Sequence, residues 1–426
     1  MTERRLLSRR TILTGIGAVA GSTIVQAPAA DTRVRVSQIG REKPDVIVVG
    51  AGVFGTWTAW HLLQQGKRVL LLDAWGPAHA RASSGGESRM TRTAYGRDAI
   101  YTRFAWESLE DWRWLSARAS LPIFHPIGVV FFFPRVEPYV TQTIEVHRQL
   151  RIPIETLDRA ALEKRLPQLA WDGIEIALFE PNRGALMARR AVQTLVKEFV
   201  AGGGEYRQAA IKTPADAASF TAVTTSEGES LRADQFVFAC GPWLPKVFPG
   251  VLDARIVPTR QEVFFFSPEA GDTRFSPGRL PGWADFNEGD IYYGFPDLEA
   301  RGFKIANDKH GAVMDPDLGD RIPSQAALED VRAFMRRRFP ALAQRPLSEA
   351  RVCQYESSSN GDFLIDRHPA WENVWLVGAG SGHGFKHGPA VGLYTARRVA
   401  GRNGTSNLEP RFSLASKALR QQRDVH

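Results

Sequence analysis

The stretch that most limits what this chain can become is Val46-Ile-Val-Val-Gly-Ala-Gly-Val-Phe-Gly55. Four consecutive β-branched residues, Val46 to Val49, read as a strand buried on both faces. Gly50, Gly52 and Gly55 follow at the spacing G-x-G-x-x-G. Gly50 permits a tight turn, Gly52 lets backbone N–H groups approach a pyrophosphate, and Gly55 lets the next helix sit close to the strand. That helix, expected over roughly Thr56 to Gln65, aims the positive end of its peptide dipoles at the phosphates. A second strand, Arg68 to Leu72, ends at Asp73, 23 residues after Gly50, where a carboxylate can accept hydrogen bonds from ribose hydroxyls. The set predicts a dinucleotide site. A glycine-rich βα turn can exist without a ligand, and the motif alone does not separate NAD from FAD.

Other segments return to this unit. Phe236-Val-Phe-Ala-Cys-Gly-Pro-Trp243 and Val374 to Val377, followed by Gly378-Ala-Gly380, read as buried strands running into glycine turns. The second opens a helix expected from about Pro389 to Ala400. Between these pieces lie Val129 to Phe133, Val257 to Phe266 and Ile291 to Phe295, read as strands of an antiparallel sheet outside the first domain. Helices are expected at Arg97 to Arg118, Leu157 to Arg165, Arg189 to Ala201 and Gln325 to Phe339. Tyr101, Phe104, Trp106 and Trp112 of the first of these read as core. The fold class is therefore α/β, a Rossmann-like dinucleotide domain interleaved with an antiparallel-sheet-rich α+β domain. The expected boundaries are 45–96, 150–245 and 345–405 for the first, and 97–149 and 246–344 for the second. A linker is expected at 31–44 and a polar tail at 406–426. Arg81-Ala-Ser-Ser-Gly-Gly-Glu-Ser-Arg-Met-Thr-Arg92 is too hydrophilic for core, and it concentrates three arginines in one glycine-rich stretch.

The 426 residues carry a formal charge of +8. The first 30 hold four arginines and one glutamate, a net +3, which leaves +5 for the rest. No run of alternating basic and aromatic residues suggests nucleic acid. Cys240 and Cys353 lie far apart, without zinc or iron–sulfur spacing, so no metal is expected. The start reads as a targeting segment. Ser8-Arg-Arg-Thr-Ile-Leu13 resembles a twin-arginine export motif, Thr11 to Ala30 is uncharged, and Ala27-Pro-Ala29 offers small residues for a peptidase. Twenty uncharged residues can just span a bilayer, but so many Gly, Ala, Ser and Thr make poor lipid contact. The expectation is a cleaved signal over 1–30, export to the periplasm or outside, and no stable membrane insertion afterwards.

Taken together, these pieces resemble the sarcosine oxidase and N-methyltryptophan oxidase branch of the D-amino-acid oxidase superfamily, from about Asp45 to Gly401. The resemblance rests on the glycine motif and on several further matches. These are Ser-Ser-Gly-Gly-Glu-Ser-Arg-Met-Thr-Arg, Glu-Pro-Asn-Arg-Gly, Ile-Tyr-Tyr-Gly-Phe-Pro, Val-Cys-Gln-Tyr and Gly-Ser-Gly-His-Gly-Phe-Lys. It implies FAD rather than NAD, held by Gly50, Gly52, Val53, Phe54, Gly55, Asp73, Ser83, Ser84, Ser88, Arg89, Cys353, Gly382, Gly384, Phe385 and Lys386. Cys353 matches the cysteine that tethers the flavin through a thioether, chemistry that suits a thiolate near a cation. Lys304 follows Tyr293 by 11 residues, the family spacing between an active-site tyrosine and an oxygen-activating lysine. A fixed ammonium there stabilises the negative charge that develops on dioxygen. Arg89 matches a residue beside the flavin ring. Arg92 and Lys386 match the pair that grips a substrate carboxylate, one by two parallel hydrogen bonds and the other as a point charge. His383 and Tyr355 match residues lining the same cavity. One position departs: four residues after Lys304 the family has a histidine, and this chain has Asp308, with His310 two residues further on.

The resemblance implies an FAD-dependent oxidase, acting as a monomer on a secondary amino acid, N-alkyl or cyclic, whose C–N bond becomes an imine while O₂ becomes H₂O₂. Two rivals make different predictions. A dehydrogenase would pass electrons to a quinone or a carrier protein and leave air inert, and a flavin-bearing binding module would never be reduced by amino acids.

Overall fold

The glycine-led strand sits in the middle of a six-stranded sheet. In a computed structural model describing residues 43–215, 218–287, 290–309, 311–401 and 409–419, the order is Leu364–His368, Trp371–Gly378, Gln235–Phe238, Val46–Val49, Val69–Asp73, Glu205–Gln208. Val46 pairs in parallel register with Val69 on one side and Gln235 on the other. All neighbours are parallel except Leu364–His368, which returns antiparallel beside Trp371–Gly378. The central strands are buried on both faces, as continuous apolar runs in a covered parallel sheet must be. Helices Val53–Gln64 and Gly388–Val399 pack side by side, the first contributing the fully buried Trp57.

A second sheet of eight strands runs Leu347–Ser358, Ile256–Phe266, Phe303–Asn307, Asp290–Phe295, Gly282–Asn287, Val129–Phe133, Ile176–Glu180, Glu155–Asp158. Its pairings are antiparallel except Gly282–Asn287 against Val129–Phe133. Those two strands are far apart in the chain, so no hairpin dictates their direction. Side chains alternate across this sheet. One face, with Phe132, Trp283, Phe303, Ile305 and Phe264, packs against Phe334 and Met335 of helix Gln325–Arg338. Ser324 caps that helix by accepting the Ala327 N–H at 3.2 Å, and Pro340 bars its continuation. The other face looks onto the site described below.

A three-stranded antiparallel sheet, Ser88–Thr91, Gly184–Met187 and Phe124–His125, fixes the arginine-rich stretch. This hydrophilic stretch is therefore partly strand, pinned by a segment nearly a hundred residues away.

The two layers interleave more finely than the sequence boundaries suggest. Glu155–Asp158, Ile176–Glu180 and Leu347–Ser358 fall within segments expected for the dinucleotide domain, yet they belong to the eight-stranded sheet. Helix Ala99–Ser116, expected in the second domain, instead lies against Gly388–Val399, and its Trp112 Nε1 donates to Lys386 O at 2.8 Å. In each case strand pairing across long connections or an apolar helix face outweighs position in the chain. Tyr101 and Trp112 are buried as expected, whereas Trp106 is 37% exposed and covers the Arg183 guanidinium at 4.6 Å. The described part of the expected tail, 409–419, docks back. Phe412 is fully buried near Tyr101 and Phe363, and Arg411 forms ion pairs with Asp98 and Asp362. The expected signal, the linker as far as residue 42, and His310 lie outside the described residues. Among the described residues no helix is long and apolar enough to cross a membrane.

Candidate active site

Two adjoining cavities open where the sheets meet. The larger, about 330 Å³, runs from Asp73, Trp75 and Trp243 past Gly50, Gly52, Val53 and Phe54 to Ser83, Ser84, Arg89, Cys353, Tyr355, Gly382, Gly384 and Phe385. Gly50 has φ +107°, and a Cβ on Gly55 would lie 1.9 Å from Gly50 O. The two glycines thus allow the turn and the helix–strand approach that the spacing predicts. Gly55 stands behind the wall rather than in it. The Asp73 carboxylate organises this end. It accepts the N–H groups of Ala51 at 2.8 Å, Trp75 at 2.9 Å and Gly76 at 2.8 Å, and a carboxylate has lone pairs left for further donors. The Val53 N–H donates to Ser84 Oγ at 3.1 Å, and Ser83 Oγ donates to Gln354 O at 2.8 Å.

The smaller cavity, about 120 Å³, shares Arg89, Cys353, Tyr355, Gly382 and Phe385 with the larger one. Its roof is a single face of the eight-stranded sheet. Lys304 pairs across to Phe265 and Phe295, Tyr293 to Ala306, and Cys353 to Gln261, so alternation turns Lys304, Tyr293, Gln261 and Cys353 the same way. Asp308, two residues beyond Ala306, joins them. Opposite stand Ser88, Arg89, Arg92, His383 and Lys386. Ser88 and Lys386 line this smaller cavity and not the larger one. Every residue expected to touch substrate is therefore in one place.

Lys304 is 3% exposed. Its Nζ donates to Ser88 O at 3.0 Å and Ser88 Oγ at 3.2 Å, with the Phe295 ring at 5.3 Å. Burial, then the nearby Arg89, lowers its pKa to about 7. Arg89 donates to Ser88 O at 2.9 Å and to Ser83 O at 2.6 Å, and lies 6.0 Å from the Phe385 ring centroid. The Arg92 guanidinium rests 4.0 Å over the Tyr95 ring, with Lys386 Nζ 5.2 Å from the same centroid. One aromatic ring thus cushions two like charges. Lys386 Nζ donates to His383 O at 2.8 Å. Burial, reinforced by Arg92, holds its pKa well below the lysine range. The Tyr355 hydroxyl donates to Asp308 Oδ1 at 2.9 Å. Burial and the charge of Asp308 push Tyr293 up to about 12.

Some contributors are not evident from sequence. Tyr95, besides carrying both cations, hydrogen-bonds His387 Nε2 at 2.7 Å and His383 Nδ1 at 3.2 Å. Glu180, from the Glu-Pro-Asn-Arg-Gly turn, is fully buried and accepts the Thr93 N–H at 3.0 Å and Thr93 Oγ1 at 2.9 Å, which anchors the chain next to Arg92. Trp75 and Trp243 meet at 4.7 Å between centroids beside Asp73, and Trp243 Nε1 donates to Asp317 Oδ1 at 2.7 Å. Cys240 lines the larger cavity, where burial raises its thiol pKa. Both cysteines are free thiols, and no metal-holding cluster occurs among the described residues.

A family model described as FAD dependent oxidoreductase (DAO) matches residues 45–398. The chain belongs to this family. It falls in the branch of the sarcosine and N-methyltryptophan oxidases. The monomeric sarcosine oxidase of Bacillus sp. (strain B-0618) is 31% identical over 82% of this chain and 90% of its own. The N-methyl-L-tryptophan oxidase of Salmonella agona (strain SL483) is 29% identical over 86% and 98%. The solved L-proline dehydrogenase of P. horikoshii superposes with a TM-score of 0.75 at 19% identity, over 88% of this chain and 97% of that one, a likeness of fold. The residues present suit FAD. In this FAD-dependent oxidoreductase Asp73 would meet a ribose and the glycine turn would let phosphates approach, with a paired tryptophan wall at the Asp73 end and Arg89, Cys353 and Phe385 where the larger cavity meets the smaller.

Proposed function

We propose that the chain oxidises the C–N bond of a secondary amino acid to an imine and passes the electrons to dioxygen, giving hydrogen peroxide. One observation carries this reading. Arg92 and Lys386 share one aromatic support in a small cavity whose far wall, Arg89, Cys353, Tyr355 and Phe385, is also the wall of the dinucleotide cavity. Such a pair suits a carboxylate. Entry of that anion favours the protonated form of Lys386, whose charge burial otherwise opposes. Bound flavin supplies the two-electron acceptor. Lys304 holds a positive charge for the oxygen step, and the apolar Met90, Phe131, Val263, Phe265 and Ile291 exclude water around it. The protein acts as a monomer, exported by the twin-arginine route as a folded molecule.

The test is anaerobic reduction followed by air, using N-methyl, cyclic and larger N-alkyl amino acids. Bleaching of the flavin, then recovery in air with one peroxide per turnover, is expected. Bleaching without recovery in air would assign the electrons to a quinone or carrier protein. A flavin that no amino acid bleaches would leave only a binding module.

Cys353 carries the covalent tether in this reading. It stands at the junction of the two cavities, within electrostatic reach of Lys304. Acid-denatured protein is expected to keep its yellow colour on the chain through gel filtration, and Cys353→Ser is expected to release the pigment completely. Colour lost from the unmodified chain rules the thioether out.

Asp308 sets the substrate class further. In a cavity otherwise dominated by cations, its carboxylate favours an N-substituent or side chain bearing positive charge. Losing such a partly buried charge-assisted contact is worth roughly 1.5–3 kcal/mol, or about 10- to 100-fold in kcat/KM. Asp308→His is expected to shift preference by that factor from cationic to small neutral N-methyl amino acids. An unchanged preference removes Asp308 from the argument.

A further inference from the structure

Cys353 and Tyr355 face the smaller cavity, so Gln354 and Glu356 on the same strand face the other way. For Glu356 that direction is the larger cavity, whose wall it joins beside Gly380, Ser381 and Gly382. Its side chain is 7% exposed. Oε1 accepts the Gly380 N–H at 3.2 Å, and the Ala379 N–H also donates to the carboxyl. Oε2 has no hydrogen-bond partner. Gly378 helps make the room it occupies, since a Cβ there would lie 3.2 Å from Oε2. A buried acceptor without a donor is costly and calls for an explanation. The position in the cavity supplies one. Bound FAD would have its adenosine at the Asp73 end, its diphosphate at the glycine turn, and its ring at Cys353 and Arg89. The span between glycine turn and ring, where Glu356 sits one residue from Tyr355, falls to the sugar-alcohol chain. Hydroxyls are donors, whereas a phosphate would repel a carboxylate.

We propose that Glu356 Oε2 accepts a hydrogen bond from a ribityl hydroxyl of FAD, which makes Glu356 a cofactor-holding residue. Burial raises this carboxyl to about 7, so a donor aimed at Oε2 also favours its ionised form. The inference rests on FAD as the resident cofactor and on neither the Cys353 tether nor the substrate.

The test uses the full chain carrying Cys353→Ser, so that flavin exchanges, stripped of cofactor and titrated by quenching of flavin fluorescence. The probes are FAD, its 2′-, 3′- and 4′-deoxyribityl analogues, and riboflavin. One analogue is expected to bind about 10-fold more weakly than FAD, the loss of one strong hydrogen bond. Adding Glu356→Ala weakens FAD and riboflavin by about the same factor and leaves that analogue's affinity unchanged. Glu356→Gln, whose one amide oxygen stays with the Gly380 and Ala379 N–H groups, turns an N–H to the hydroxyl, which can accept as well as donate, and stays within about 3-fold of the parent. The proposal is overturned if all three analogues bind the parent as FAD does, or if the losses from Ala and from the analogue multiply. It is also overturned if Glu356→Ala weakens FAD while riboflavin is unaffected, which would move the contact to the phosphates. Should the alanine variant not fold, the analogue series and Glu356→Gln decide the matter alone.

Discussion

Replacing Lys304 by methionine is expected to leave substrate reduction of the flavin nearly intact and to slow reoxidation by air by about 10²–10³-fold, the usual effect of removing one preorganised charge from a developing anion. Stopped-flow traces of the two half-reactions separate these effects. Equal slowing of both would return Lys304 to a structural role. The pH dependence follows from the burial of the group. With a pKa near 7, Lys304 carries its charge below that pH and loses it above, so kcat/KM for oxygen is expected to fall as pH rises through about 7, and to be flat and low in the variant. Stability should move in the opposite direction. Lysine binds its proton more weakly in this folded chain than when unfolded. Between about 7 and the ordinary value of 10.5 the unfolded state holds more protons, and unfolding free energy rises with pH. Below about 7 the buried charge destabilises the fold to its full extent. Lys304→Met, of similar volume, is therefore expected to raise Tm at pH 6 and to remove that pH slope. A gain in stability with a loss of oxygen reactivity is the expected mark of a group kept for chemistry.

The second large effect is at Arg92. Arg92→Met is expected to lower kcat/KM for the amino acid by about 2–4 kcal/mol, roughly 30- to 1000-fold, because the substrate carboxylate would be left in a poorly hydrated cavity without its bidentate partner. Most of that loss should appear in KM, since the carboxylate is held alike before and during reaction. Arg92→Lys is not expected to rescue it, because an ammonium lacks the planar fork. Lys386→Met should cost less on its own and, because both cations sit over Tyr95, the double variant should lose less than the product of the singles. Flavin content should be unchanged in Arg92→Met, since Arg92 lies outside the larger cavity. An unaltered KM would separate Arg92 from the carboxylate.

Much of this site is legible in the sequence where the signal is local. Val46–Val49, the glycine turn and Asp73 form a βαβ unit within thirty residues, and each step has a residue-level cause. The strand Val129–Phe133 matches its expected limits because five apolar residues in a row have few alternatives. What stays hidden is long-range. Ser83 reaches Gln354 across 271 residues, and Lys304 reaches Ser88 across 216. Which side of a strand faces which cavity depends on register, so the role of Glu356 cannot be read from its neighbour Tyr355. Tyr95 gave no signal because a tyrosine beneath an arginine three residues away looks like any core aromatic. Glu180 belonged to a recognised motif, but only the fold shows that its carboxylate anchors Thr93.

The six-stranded sheet reaches its full width only when Trp371–Gly378 joins Gln235–Phe238, and Arg411 and Phe412 fasten the result. On the ribosome, therefore, the glycine turn emerges early and waits through most of translation with one flank of its layer unfilled. The wall of the larger cavity is complete only with Phe385, so flavin capture is expected late in synthesis. A stop codon shortly before Trp371 should be nearly as damaging as one close to the start, and a chain ending there would present Gln235–Phe238 as a bare edge to chaperones instead of a yellow protein.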